Sequence, residues 1–258
     1  MIIKTEEELR HMQEIGRICA LVLKKMAAAV KPGVTTKELD EYGGELFKAY
    51  GAKSAPIACY NFPGHNCISV NNTVAHGIPS QDIVIREGDI VNIDVSAEKD
   101  GFFGDNSGSF PVGHVKHTYE KLMTAGREAL AQAIAAASAG YRLNGVGLAA
   151  EKCARRHGYR IIRNLCGHGV GHTLHDDPDC VYMYHEKKDR RIMPPGLVIA
   201  IEPFVSLGDE YVEELNDGWT LKTPHRHQVV QYEKTVMIRE GEPPLILTPW
   251  DEELEDMI

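Results

Sequence analysis

The chain has no apolar stretch approaching the roughly 20 residues of a membrane span. Its start, Met1-Ile2-Ile3-Lys4-Thr5, runs into acidic residues instead of a signal-peptide core. There is no C-x-x-C pair among the 6 cysteines, which stand at 19, 59, 67, 153, 166 and 180. That spacing excludes a zinc ribbon and shows no secreted disulfide framework. Positive charge is also short: 28 Lys and Arg face 37 Asp and Glu, for a formal net charge of −9. A nucleic-acid footprint, and with it a DNA partner, is therefore disfavoured. Reduced thiols, a cytoplasmic location and no membrane attachment are the expectation.

What is present is an ordinary globular composition, 43% hydrophobic and 25% charged over 258 residues, enough for a sizeable core. No linker composition or charge block marks a boundary, so one catalytic domain over 1–258 is expected. Thr5-x-x-Glu8 is a capping box, and Leu9, Met12, Gly16, Cys19, Val22, Leu23 and Met26 follow at helical spacing until Lys31-Pro32-Gly33. A second box, Thr35-x-x-Glu38, opens a shorter helix with Leu39, Tyr42, Leu46, Phe47 and Tyr50 on one face. From Cys67 the period changes to two: Cys67–Val70 and Asp89–Ser96 read as strands. Asp100-Gly101 is a hairpin-turn signal, with Phe102–Val112 returning. Helical pattern resumes over 118–138 and 146–157, and strand-like segments follow, Leu197–Phe204 among them. Helices, hairpin, helices and hairpins in this order predict an α+β fold on antiparallel sheet.

Three patterns are set aside. Gly145-Val146-Gly147-Leu148-Ala149-Ala150 fits a dinucleotide fingerprint, but no apolar strand precedes it. His185-Glu186-Lys187-Lys188-Asp189 lacks the second histidine of a zinc-protease helix and reads as a solvated loop. His168, His172 and His175 have helical spacing, yet Gly167, Gly169 and Gly171 interleave them, so a turn or bulged strand is expected.

The hairpin carries the first chemical clue. With a two-residue loop at Asp100-Gly101, Ser96 pairs with Asp105, and Asp94 is a diagonal neighbour on the same face at roughly 7–8 Å. Two aspartates on one face of apolar strands repel each other and lose hydration unless a positive charge lies between them. Solvated strand-end carboxylates are the plain alternative, and a three-residue loop would put the pair on opposite faces. Glu202 interrupts the apolar run Leu197–Phe204, and Glu233 lies in Val229–Val236. A structural salt bridge could account for either glutamate singly. Together with the aspartates and His168 they suggest a carboxylate-rich cage for divalent ions such as Mn, Fe(II), Co or Zn. His76, in Val74-Ala75-His76-Gly77-Ile78-Pro79, and His175 remain as loop histidines.

These residues resemble a known family. The motifs are Ala75–Pro79, Asn92–Val95 with Gly104–Ser107, Gly167–Gly171 with His175, Ile201–Pro203 and Gln231–Glu233. From about Thr5 to Val236 the chain is similar to the type I methionine aminopeptidases. The resemblance implies a pita-bread fold, two pseudo-symmetric halves around a central antiparallel sheet. It implies two divalent metal ions per chain (Co, Mn, Fe(II) or Zn), with Asp94 binding one, Asp105 and Glu233 bridging both, and His168 and Glu202 completing the other's shell. It further implies that Glu202 shuttles a proton, and that His76 and His175 contact the scissile peptide. Two such ions would make a water nucleophilic at neutral pH. The implied activity is removal of the initiator methionine from nascent chains and peptides with a small second residue. The implied enzyme is a cytoplasmic monomer, with the ribosome exit region as a candidate partner. The insertion of type II members and the cysteine-rich, zinc-binding extension of eukaryotic type I members are expected to be lacking.

By position, the methionine pocket would be walled by Cys59, Phe62, Cys67, Leu174 and Trp219. Core packing is the alternative for Trp219, and buried inert thiols for Cys59 and Cys67. Here the sequence departs from the family pattern: many bacterial members carry Cys, Tyr and Tyr at the positions of Pro56, Cys59 and Phe62, and Phe at Leu174. Two other readings stand beside this one. A proline-directed peptidase of the same fold usually has a large amino-terminal domain, and an inactive binding protein of that fold should lack the ligands.

Overall fold

The capping boxes begin the helices they were expected to begin. In the computed structural model, which describes residues 1–250, α1 spans Glu6–Ala29 and α2 spans Thr36–Ala49. Residues 251–258, the tail of the expected catalytic domain, lie outside the described residues. At α1 the Thr5 hydroxyl accepts from the Glu8 amide at 3.1 Å, and the Glu8 carboxylate accepts from the Thr5 amide at 3.1 Å. Between the helices Gly33 takes a φ of 94°, which reverses the chain without strain. One expected face needs correction. Tyr42 is exposed, and Asp40 is buried in α2 instead, accepting hydrogen bonds from the amides of His65 and Asn66.

A short helix, α3 (Ala55–Tyr60), for which the sequence showed no periodic pattern, follows α2. Ser54 caps it and Pro56 occupies its first turn, where a missing N–H costs nothing. The hairpin follows as expected: Ile90–Lys99 pairs with Phe102–Pro111, Lys99 opposite Phe102 and Ser96 opposite Asp105. Asp100 and Gly101 both have positive φ, 52° and 82°, the two-residue turn that matches the twist of a hairpin. Then come α4 (His117–Ala136) and α5 (Asn144–Arg156). Among the described residues no helix is long and apolar enough to cross a membrane.

Alternation along the hairpin decides which residues meet helices and which meet chemistry. Val91, Ile93, Val95 and Ala97 pack beneath α1 and α2 with Met12, Ile15, Leu23 and Met26. Asn92, Asp94 and Ser96 therefore point to the other side of the sheet. A second core repeats the design: α4 and α5 pack Leu122, Ala129, Ala133 and Val146 onto Ile199, Ile201 and Val236. The strand Val198–Ile201 belongs to both cores, since Val198 and Ala200 pack into the first.

The apolar runs around the two glutamates are broken strands rather than continuous ones. Val198–Ile201 pairs with Lys234–Met237, and Phe204–Ser206 pairs with Val229–Gln231 in a different sheet. Pro203 has no N–H to continue the ladder. The register is the same on either side, Ile201 facing Lys234 and Phe204 facing Gln231, so Glu202 and Glu233 are aligned across the gap. His168 lies in Cys166–Gly169, whose pairing with Asp176–Tyr182 shifts register between Gly167 and Gly169, the bulged strand expected from its glycines. The reduced state expected of all the thiols is not what the structure shows. Cys166 and Cys180, brought together by these neighbouring strands with Cα atoms 5.6 Å apart, form a disulfide. The segment 185–189 is the loop expected, with Lys187 and Lys188 exposed, although Asp189 at its end is buried and ion-paired with Arg191 at 2.8 Å.

Candidate active site

Where the hairpin, the bulged strand and the broken strand pair converge, the structure brings together Asp94, Asp105, His168, Glu202 and Glu233. All of them line one cavity of about 410 Å³. Register sets each contribution. Asp94 lies across from Cys67 on one side and Ser107 on the other, while Asp105 faces Ser96, so small neighbours leave the carboxylates room. Asp105 is held by its main chain: its amide donates to the Thr235 hydroxyl at 3.2 Å, and its carbonyl accepts from the same hydroxyl at 2.7 Å. Glu233 is tied by its amide to the Ser107 carbonyl at 3.1 Å. Glu202 accepts from the Gln231 side-chain amide at 2.9 Å.

His168 projects its Nε2 into this group, 3.5 Å from Asp105 and 3.7 Å from Glu202. Its Nδ1 lies 2.9 Å from the Gly169 carbonyl, which orients the ring with Nε2 toward the carboxylates. The flanking glycines have a packing reason: a Cβ on Gly167 would collide with the Ala200 carbonyl, and one on Gly169 with that of Asp177.

A cluster of this kind is unfavourable as protein alone. Exposure is 6% at Asp105, 8% at Glu202 and 1% at Glu233. One oxygen on each of Asp94, Asp105 and Glu233 is buried with no hydrogen-bond partner among the described residues. Burial first, then the charge of Asp105, pushes the carboxyls of Asp94, Glu202 and Glu233 well above the ordinary range. His168 moves the other way from a buried imidazole. Loss of hydration disfavours its charge, but the hydrogen bond and charge of Asp105 outweigh it and raise its pKa. Orphaned carboxylate oxygens around one imidazole are the donor set of a hard to borderline divalent cation. Ligand atoms of Asp105, His168 and Glu233 already lie within 4.8 Å of one another.

His175 and His76 stand at the sides of the cavity. The ring of His175 is 4.1 Å from that of His168. Its pKa is pushed down to about 4, chiefly by loss of hydration and next by the neighbouring His168. At neutral pH it is an uncharged imidazole, and its Nδ1 is hydrogen-bonded to the Tyr60 hydroxyl. His76 has a φ of 52°, a left-handed conformation for a non-glycine residue, next to Gly77, where a Cβ would collide with the Ile68 carbonyl.

The apolar wall consists of Pro56, Phe62, Cys67, Leu174, Phe204 and Trp219, with the Phe62 and Trp219 rings edge to face at 5.1 Å. Cys67 stays a thiol, because burial and the charges of Asp94 and Asp105 raise its pKa well above the usual value. Cys59 does not join this wall. It is exposed on α3, outside the cavity lining, with its thiol against the Leu174 main chain. In a helix, residues four apart share a face, so Pro56 and Tyr60 turn inward and Cys59 turns away. The sequence reading missed Tyr60 for that reason; the signal was Ser54 followed by Pro56, a helix start. Gln231 and Thr235 were missed as positioning residues because their roles depend on strands distant in sequence.

Comparison with known proteins agrees with this geometry. Residues 10–240 match the model of metallopeptidase family M24. The chain is 45% identical over 254 residues to a methionine aminopeptidase of Staphylococcus epidermidis, covering 98% of this chain and 100% of that one. It is 42% identical over 248 residues to methionine aminopeptidase 2 of Bacillus subtilis, covering 96% and 99%. Among solved structures, the methionine aminopeptidase of Thermotoga maritima superposes with a TM-score of 0.92 at 34% identity, over 96% of this chain and 99% of that one. The two helix pairs on antiparallel sheet are the pita-bread fold that these enzymes have. With the family model matched over nearly its whole length, the chain belongs to metallopeptidase family M24.

Proposed function

We propose that this chain removes the amino-terminal methionine from peptides and nascent chains whose second residue is small, and that 1–258 is a single catalytic domain. The observation that carries the reading is the group of buried, unpartnered carboxylates opening onto a cavity walled by Phe62, Cys67, Leu174 and Trp219. Asp94, Asp105, His168, Glu202 and Glu233 would hold two divalent ions. Mn, Fe(II), Co and Zn are the candidates for this oxygen-rich set. When bound, such ions supply a water that is nucleophilic at neutral pH and polarise the carbonyl it attacks.

The remaining steps belong to the protein's own groups. The acidic floor attracts a positively charged amino terminus, and the apolar wall accepts an unbranched thioether side chain. Glu202, buried beside the carboxylates and oriented by the Gln231 amide, is placed to carry a proton to the leaving amine. His175, uncharged and anchored through Nδ1 by Tyr60, offers Nε2–H to the developing oxyanion. His76, fixed by its main-chain conformation, holds the peptide amide.

The reading extends to a cytoplasmic monomer acting on nascent chains near the ribosome exit region. Co-sedimentation with translating ribosomes tests that part. The central experiment is peptide hydrolysis under Mn, Fe(II), Co and Zn in turn. Release of methionine from Met-Ala-Ser, with little turnover when the second residue is bulky, is the expected result. Cleavage of Xaa-Pro peptides with Met-Ala-Ser spared overturns it.

A further inference from the structure

A second cluster of metal-ligating side chains lies outside the cavity. The strand pair Phe204–Ser206 and Val229–Gln231 opens, past Leu207 and Gln228, into an excursion of the chain that leaves at Asp209 and returns at His225 to His227. At its stem Asp209 is buried, with both carboxylate oxygens engaged: Oδ1 lies 2.6 Å from His225 Nδ1 and Oδ2 lies 2.8 Å from His227 Nδ1. Ligand atoms of the three residues fall within 4.8 Å of one another. Arg226, between the histidines, has a φ of 59°, so the main chain is held in a left-handed turn there. Gly208 makes room, since a Cβ at that position would stand 2.8 Å from the His227 ring.

We propose that Asp209, His225 and His227 form a second metal site, taking one borderline divalent cation of the Zn2+ class. Two imidazoles and one carboxylate, with water as fourth ligand, are a donor set for such an ion. Zinc–ligand distances of about 2.0–2.2 Å in a tetrahedron put ligand atoms roughly 3.3 Å apart. The imidazoles therefore have to retreat from Asp209 by about 0.7 Å at His225 and about 0.5 Å at His227. His225 is 76% exposed at its side chain and is free to do so. Another His-containing cluster, Glu128, Cys153 and His157, is a poorer candidate, because Cys153 is fully buried in the core of the second helix pair.

The site would act on the excursion it closes. That segment carries Trp219, which lines the cavity and packs on Phe62. A cation at the stem ties both ends of the loop and reduces the freedom of its middle. The ion would thus brace the excursion, and its ligands are separate from those of the cavity floor.

Equilibrium dialysis against Zn2+ tests the proposal by counting. The wild-type chain is expected to retain one more equivalent than His225→Gln/His227→Gln, whose amides can still donate to Asp209 but are poor zinc ligands. Asp209→Asn serves as a second variant should the double one fold poorly. Both variants should keep methionine release from Met-Ala-Ser, and Zn2+ should protect the excursion 209–227 from proteolysis in the wild type alone. Equal zinc counts in wild type and folded variants, or equal protection, overturn the proposal.

Discussion

The floor and the wall of the cavity are built by different means. The floor residues Asp94, Asp105 and His168 come from strands and Glu202 and Glu233 from the aligned breaks between strands, so their positions follow from pairing register and from main-chain bonds such as those of Asp105 to Thr235. The wall takes Cys67 and Phe204 from strands, but Pro56, Phe62, Leu174 and Trp219 come from a 6-residue helix and the turn after it, from a loop and from the excursion after Asp209. The positions that leave the expected family pattern, Pro56, Cys59, Phe62 and Leu174, all fall on or beside the wall, and none falls on the floor. A register shift would turn a floor residue away from the site entirely, whereas a wall tolerates any apolar group of suitable size.

The sharpest way to break the comparison is at Glu202. Glu202→Gln should lower turnover of Met-Ala-Ser by about 10²–10⁴-fold, the range of a lost proton-transfer group, in a steady-state assay with saturating metal. An active variant would remove Glu202 from the floor's chemistry. A wall change should be gentler and should appear elsewhere. Trp219→Ala is expected to lower kcat/KM about 10–100-fold, mainly through KM, because it removes binding surface shared by ground and transition states. A loss confined to kcat would mean that Trp219 belongs functionally with the floor.

Stability should reverse the ranking. With metal chelated, Glu233→Gln should gain about 1–3 kcal/mol, because it removes a buried carboxyl that must take up a proton on folding and has an unpartnered oxygen. Chemical denaturation in chelator measures this. The pH dependence has the same origin. The carboxyls of Asp94, Glu202 and Glu233 are raised in the folded chain, so the native state binds more protons than the unfolded one above the ordinary carboxylate range. The chelated protein should therefore lose stability as pH rises from the unfolded carboxylate pKa upward, and Glu233→Gln should flatten that slope. The smallest effect is expected at Tyr60. Tyr60→Phe removes the hydroxyl from His175 and should cost about 2–10-fold in kcat, the worth of one ordinary hydrogen bond.

Much of this site was legible in the chain because its signals are local. Asp100-Gly101 demanded a two-residue turn, and that turn alone placed Ser96 opposite Asp105 and Asp94 on the same face. The capping boxes at Thr5 and Thr35 began α1 and α2. Glycines around His168 announced a strand that could not be regular, though their purpose, close approach to the Ala200 and Asp177 carbonyls, was not visible. Cys59 was misplaced because α3 was not expected, and a helix turns residue 59 away from a face shared by residues 56 and 60.

The sequence by itself determined which groups stand out, because a carboxylate in an apolar run or a histidine between glycines conflicts with its surroundings wherever the chain goes. It also determined the helix starts and the hairpin register, which depend on neighbours a few residues away. Tertiary structure decided the rest. It aligned Glu202 with Glu233 across a break at Pro203, gave Tyr60 to His175, joined Cys166 to Cys180 and clasped Asp209 between His225 and His227. These partners are far apart in the chain or on separate strands, so which atoms meet depends on how the sheets and loops pack, a long-range property that local patterns do not encode.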